Sequence, residues 1–347
     1  MKIAMIVPAL VNKGPVLVAK DLCTQYVALG HECVVFYFDK EVELDFPCKI
    51  RRISFWKSLN FSDFDIIHTH QYRPDAYVYI HKLYTQSKTI STLHQHIEQQ
   101  LKYDNSRNSI LNKFGIYSWF HFLKHFDKIV SLTSFHELYY KNRGLNTCVI
   151  SNGRFVNTSL NVDAEDIESI EYLKSRYILL TSVAYVTIRK GLEQAIYAIS
   201  NDDRYALMIV GDGPDLDRIK RLSKEIGVED RCLFVGNKAN GYRYLRYADI
   251  FLLCSYAEGF PLALIEAGAF GVPAVCSDIE AISSVMSPDE VSYYQLGAIE
   301  SLKKAIEYAV ESREQLSSKM REKYKTSFSD EVMAKKYISL YKSLIND

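Results

Sequence analysis

Short apolar runs recur along the chain, each followed by a longer stretch with helical spacing of its apolar positions. In the first half the runs are 2–7, 34–38, 65–68, 89–93, 127–132 and 147–150. Helical patterns fill 16–29, closed by Gly30, then 74–84, and a third stretch ending near Gly144. The second half repeats the scheme, with strands predicted at 177–183, 205–210, 232–235, 249–254 and 274–276. Helices are predicted there at 191–199 and 214–226, and from Pro261 to Gly271. Short, largely apolar runs, separated by helices, predict parallel strands covered on both faces. The expected fold is therefore α/β, with two Rossmann-like domains in succession. Residues 1–155 make the first and 156–329 the second, with an interdomain linker expected in the polar, acidic stretch 157–175. A last amphipathic helix is expected over 330–344, with Val332, Tyr337, Leu340, Tyr341 and Leu344 on its apolar side.

Composition narrows the function classes. The 347 residues include 42 Lys+Arg and 42 Asp+Glu, so the net charge is zero. No overall basic field points to nucleic acid as a partner. No apolar run reaches the roughly eighteen residues of a membrane span, and the start, Met1 to Pro8, reads as a first strand rather than a signal segment. Seven cysteines without a C-x-x-C pair fit reduced, buried thiols and a cytoplasmic location.

Candidate chemistry concentrates at Glu258-Gly259-Phe260-Pro261-Leu262-Ala-Leu-Ile-Glu266. An apolar strand precedes this stretch, and a helix starts at about Pro261. A helix N-terminus offers unpaired N–H groups and a partial positive charge, a site for a phosphate. Glu258 in the loop and Glu266 about two turns into the helix put a carboxylate on each side of it. Carboxylates accept hydrogen bonds from sugar hydroxyls. Arg189-Lys190-Gly191 lies before another predicted helix start, where cations are unfavourable unless an anion joins them. Gly211-Asp-Gly213-Pro214 is a glycine turn after a strand, which lets backbone approach closely. In the first half, Thr69-His70-Gln71 and His94-Gln95-His96 are expected as turns past the carboxyl ends of two strands, the edge where open α/β sheets bind ligands. Their spacing, without nearby acidic or cysteine ligands, does not predict a metal site.

The stretch EGFPLALIEAGAFGVPAVCSDI resembles the E-x7-E signature of retaining GT-B glycosyltransferases of the family four (glycosyl transferases group 1) type, over about twenty consecutive residues. Lys190-Gly191, the G-x-G-P turn at 211–214, Thr92-Leu-His94 and Ser151-Asn152-Gly153 resemble further motifs of that family. The resemblance implies a GT-B fold, two domains facing across a cleft, with the 330–347 helix crossing back onto the first. It implies a metal-independent sugar transfer with no cofactor, from a UDP- or GDP-sugar to a glycan or lipid-linked glycan. His94, Lys190 and Glu258 would be catalytic. Arg189, Gly211, Gly213, Gly259, Phe260, Pro261, Leu262 and Glu266 would bind the donor, and Gly14 and His70 would lie on the acceptor side.

One departure stands out. Where the family carries Gly-Arg before its Lys-Gly pair, this chain has Ala184-Tyr185, and Arg189 is the candidate replacement. A nucleotide-sugar epimerase and a non-catalytic sugar-nucleotide binder remain as alternatives. Residues 97–125 interleave Lys102, Arg107, Lys113, His121 and Lys124 with Phe114, Tyr117, Trp119, Phe120 and Phe122. This reads either as a core helix with a solvated face or as a helix lying on an anionic membrane surface, a peripheral position at the inner face of the plasma membrane.

Overall fold

In the computed structural model, residues 1–82, 86–94, 109–200 and 202–346 are described, with 109–113 as backbone only. The apolar runs become parallel strands in two sheets. The first contains β1 (Lys2–Val7), β2 (Glu32–Tyr37), β3 (Lys49–Arg52), β4 (Ile66–His70), β5 (Lys88–Leu93), β6 (Lys128–Ser131) and β7 (Thr147–Val149), in the order β3-β2-β1-β4-β5-β6-β7. Central β1 is apolar from Ile3 onward because both its faces are covered: Ile3 to Val7 are all 0% exposed. Edge strand β3, Lys-Ile-Arg-Arg, is exposed at every position, and its charges discourage pairing with another chain. The sequence pattern missed this strand for that reason.

The second sheet contains β8 (Ile178–Val183), β9 (Tyr205–Val210), β10 (Cys232–Gly236), β11 (Ile250–Leu253), β12 (Ala274–Ser277) and β13 (Ser292–Tyr294), in the order β10-β9-β8-β11-β12-β13. Cα packing divides the chain into one unit of Met1–Phe155 with Ser327–Asp347 and another of Val156–Thr326. The last helix, Asp330–Asn346, thus belongs to the first unit, where it packs on helix α1 (Gly14–Ala28).

Several sequence expectations need correction. The stretch 157–175 is not a linker, since Ala164–Lys174 is a helix whose Ile170 and Leu173 are buried in the second unit's core. Its apolar positions recur at helical spacing, which the acidic composition masked. His70 is not in a turn but is the last residue of β4, opposite Thr92 of β5, whereas His94 does follow β5. Gly191 does not begin a helix: it closes a 3-10 turn, Ile188–Lys190, and the helix runs from Glu193 to Ser200. Pro214 precedes its helix, Leu216–Ile226, and Pro261 is the N-cap of the helix Leu262–Phe270. Glu266 is the fifth residue of that helix, about one turn in rather than two.

The aromatic stretch also resolves in part. Ser109–Leu123 is a helix, with Trp119 and Leu123 in the first unit's core and Phe114 and Tyr117 exposed. Lys102 and Arg107 lie outside the described residues. Among the described residues no helix is long and apolar enough to cross a membrane.

Candidate active site

Each sheet reverses its strand order once, and at such a point the loops leaving adjacent carboxyl ends diverge and open a crevice. In the second sheet the reversal lies between β8 and β11. The loop after β8 carries Arg189 and Lys190, and the loop after β11 carries Glu258 to Pro261.

These loops are joined by backbone and side chain. Tyr256 N–H donates to the Arg189 carbonyl at 2.8 Å, and Gln194 Nε2 donates to the Cys254 carbonyl at 2.9 Å. Gly191 adopts φ 59°, and a Cβ there would stand 2.3 Å from the Cys254 oxygen, so glycine is required by both conformation and space. The junction brings Lys190 Nζ to 2.6 Å from Glu258 Oε1. Ser255 Oγ donates to the same oxygen at 2.5 Å, and Glu258 is only 6% exposed. Burial pushes the Glu258 carboxyl up, but Lys190, then Arg189 and the hydrogen bonds from Lys190 and Ser255, outweigh it and hold the group below the usual carboxylate range. Arg189 itself reaches the Ala257 carbonyl at 3.5 Å. It is therefore a second cation beside Glu258, while Tyr185 is 70% exposed.

The helix Leu262–Phe270 starts without a side-chain cap, and Glu266 is 9% exposed within it. Gly259, Phe260, Pro261 and Leu262 form the approach to that N-terminus. Gly211 and Gly213 sit after β9, beside the loop after β8. A Cβ on Gly211 would stand 1.9 Å from the Ala184 oxygen, and one on Gly213 would stand 2.2 Å from the Val186 oxygen. Their glycine requirement is set by the neighbouring loop, whose Val186 N–H donates to the Asp212 carbonyl at 2.9 Å. What arrangement results is a buried, ionised carboxylate, two cations and an uncapped helix start, a set suited to a sugar carrying a diphosphate.

In the first sheet the reversal lies between β1 and β4. The loop after β1 leads to Gly14, the first residue of α1, and β4 ends at His70. His70 Nδ1 and His94 Nε2 are 2.6 Å apart, with the rings stacked at 4.9 Å. His70 Nε2 is buried without a partner among the described residues. A bare ring nitrogen tolerates this better than an N–H does. The proton of His70 is therefore assigned to Nδ1, donating to His94, whose own proton sits on Nδ1. Burial lowers His94 to about 3, so it is neutral near pH 7.

Sequence reasoning missed the shell behind this pair. His68 Nδ1 meets the Tyr341 hydroxyl at 2.7 Å, and Tyr341 also meets Tyr26 at 2.8 Å. His68 Nε2 meets Thr92 Oγ1 at 2.7 Å, and Thr92 meets Tyr337 at 2.8 Å. Asp75 is fully buried and accepts from Thr69 and from Trp119 Nε1, the latter at 2.6 Å. Gln71, directly after His70, takes φ 76°, a strained backbone for a non-glycine residue at the ligand-binding edge. The positive φ of Gln71 lacked any sequence signal, and the tyrosines were visible as helix face and nothing more.

Comparison with known proteins follows this division. Residues 13–154 match the family described as Glycosyltransferase Family 4, and residues 163–327 match Glycosyl transferases group 1. An O-antigen biosynthesis glycosyltransferase of Escherichia coli is 26% identical over 100% of this chain and 99% of its own length. An N-acetyl-alpha-D-glucosaminyl L-malate synthase of Bacillus anthracis is 27% identical over 82% of this chain and 74% of its own. Among solved structures, the sucrose-phosphate synthase of Thermosynechococcus elongatus superposes with TM-score 0.82 at 19% identity, covering 100% of both chains. Anabaena HepE, solved with UDP, also gives 0.82, at 15% identity over 99% of this chain and 100% of its own.

Proposed function

Because the chain belongs to the GT-B glycosyltransferases of the group 1 and family 4 type, we propose that it is a retaining, metal-independent enzyme moving a sugar from a UDP- or GDP-sugar to a glycan. The observation that carries the reading is the Lys190–Glu258 pair at 2.6 Å beside the uncapped start of Leu262–Phe270. Charge developing on a departing diphosphate is stabilised by preorganised cations and N–H groups. Lys190, Arg189 and the helix start take that role. Glu258, held ionised, accepts from hydroxyls of the donor sugar, and Glu266 from the ribose. Gly211 and Gly213 let the loops after β8 and β9 lie close, fixing the wall of the nucleotide pocket. Gly259 to Leu262 bring the helix start to the phosphates.

In this reading the acceptor attacks from the leaving-group face, and a phosphate oxygen takes its proton. The new glycosidic bond forms as the bond to the diphosphate breaks, so no protein base or metal is needed. His94, neutral and oriented by His70, hydrogen-bonds the reacting sugar, with Gly14 on the acceptor side. Arg189 stands in for the arginine that Tyr185 lacks. The acceptor is assigned to bacterial surface polysaccharide, O-antigen, capsule or lipopolysaccharide, supported by the Escherichia coli relative and by lipopolysaccharide core glycosyltransferases of Rhizobium meliloti, 28–30% identical over 44–45% of the chain. Exposed Phe114 and Tyr117 support contact with an anionic membrane at the lipid-linked acceptor. The epimerase and non-catalytic alternatives are not favoured, because relatives carrying the match are glycosyltransferases.

A thermal-shift panel of UDP-, GDP-, ADP- and CDP-sugars identifies the donor, since a ligand of the folded state raises the melting temperature. Turnover with that donor, in chelator, followed by anomeric analysis tests the chemistry. Retained configuration, with turnover lost in Glu258→Ala and Arg189→Ala, is expected. An inverted product, or full turnover in both variants, overturns the assignment.

A further inference from the structure

Three cysteines far apart in the sequence meet in the first unit. Cys23 lies in α1, Cys33 in β2, and Cys48 directly before β3. The parallel register sets Val34 against Lys49, so Cys33 and Cys48 each precede a paired position on adjacent strands. Helix α1 lays Cys23 against them. All three sulfurs lie within 4.8 Å of one another, with Cys33 Sγ donating to Cys23 Sγ at 3.4 Å. Cys23 and Cys33 are 0% and 4% exposed, while Cys48 is half-buried.

We propose that Cys23, Cys33 and Cys48 form a three-thiolate site for a soft d10 cation of the zinc class, with water in the fourth position. Three sulfurs bound at about 2.3 Å around a tetrahedral ion stand about 3.8 Å apart. The triangle here closes on such an ion with shifts of about 1 Å or less per sulfur. A disulfide would use two of the sulfurs and leave the third unaccounted for; a cation uses all three. The half-buried Cys48 provides the entry path, and the two buried thiols provide a water-poor interior. Binding releases up to three protons, one per thiol, and involves no electron transfer. The site lies at the amino ends of β2 and β3, the opposite edge from His70. Its role is to tie the exposed edge strand to α1, separate from sugar transfer.

The test uses the full chain, metal-free and reduced, titrated with cadmium as an optical probe. One equivalent is expected to produce an ultraviolet thiolate-to-cadmium charge-transfer band, which zinc then displaces. At 100-fold excess over its dissociation constant, zinc should favour the folded state about 100-fold, read as a rise in melting temperature. Cys48→Ser should abolish the band and the zinc-induced rise while leaving the metal-free melting temperature and turnover unchanged. No band on titration, a band that survives Cys48→Ser, or a Cys48 disulfide in reducing buffer each overturns the proposal.

Discussion

Lys190→Ala separates two roles that the structure superimposes on one nitrogen. Lys190 Nζ lies 2.6 Å from a Glu258 oxygen, and the side chains are 18% and 6% exposed. Removing one partner of a fully buried pair costs about 3–5 kcal/mol. Here the lysine is partly solvated, and Ser255 and Arg189 still face the carboxylate. The stability loss is therefore expected at about 2 kcal/mol. The same change removes the largest influence opposing burial at Glu258, so its carboxyl titrates higher and turnover falls away at a higher pH limit. If Lys190 also meets the departing phosphate, kcat drops about 10²–10³-fold, equivalent to about 2.7–4 kcal/mol. The double variant Lys190→Ala/Glu258→Gln isolates the stability role, because the amide leaves no buried charge, while the phosphate role is read from the turnover of Lys190→Ala alone. Its stability should recover to within about 1 kcal/mol of the wild type, giving a favourable coupling energy. Its turnover should stay lost. Denaturant midpoints and single-turnover rates measure both quantities. A Lys190→Ala enzyme within about threefold of wild-type turnover refutes the phosphate role.

Gly191→Ala should cost about 3 kcal/mol, since φ 59° and the 2.3 Å approach to the Cys254 oxygen both oppose a Cβ; an unchanged denaturant midpoint would contradict this. Asp75 is raised to about 7, first by burial and despite hydrogen bonds from Thr69 and Trp119. Its contribution is present below about pH 4, where the unfolded carboxyl is also protonated, and is lost as pH rises toward 7, on the order of 4 kcal/mol. Asp75→Asn should flatten that fall in a pH series of unfolding free energies, and an unaltered slope would rule it out. Tyr341→Phe leaves the buried His68 Nδ1 and Tyr26 hydroxyl without their shared partner. A loss of about 3 kcal/mol is expected in chemical unfolding, and a midpoint equal to the wild type's would remove the tyrosine network as a stabilising feature.

The parts of this protein that could be read in sequence are those whose cause is local. Strands buried on both faces are largely apolar, so β1, β8 and β9 declared themselves. Edge strand β3 did not, because an edge needs charges more than it needs apolar residues. The acidic helix Ala164–Lys174 was hidden by composition, although Ile167, Ile170 and Leu173 mark its buried stripe. The same division runs through the candidate site. Glu258 and Lys190 were legible because their motifs are contiguous, but the bond between them spans 68 positions. Tyr341 reaches His68 across 273 positions and Tyr337 reaches Thr92 across 245, and no pattern in either segment announces the other. Contacts of that kind are created by the topology, when the last helix lies on the first sheet.

Gly211 and Gly213 show a subtler limit. A glycine turn after a strand signals close approach, and the sequence alone pointed to a ligand. In the structure the atoms in the way of a Cβ are the carbonyls of Ala184 and Val186. The glycines therefore act on the loop that leads to Arg189 and Lys190, holding it against the end of β9. Any role toward a nucleotide is exerted through that loop, since a side chain at either position would push the loop, and the cations beyond it, away from Glu258. The consequence is a shared failure mode: Gly211→Ala, which presses on the start of the loop after β8 at Ala184, and Gly191→Ala, at that loop's end, should both impair turnover by displacing Lys190.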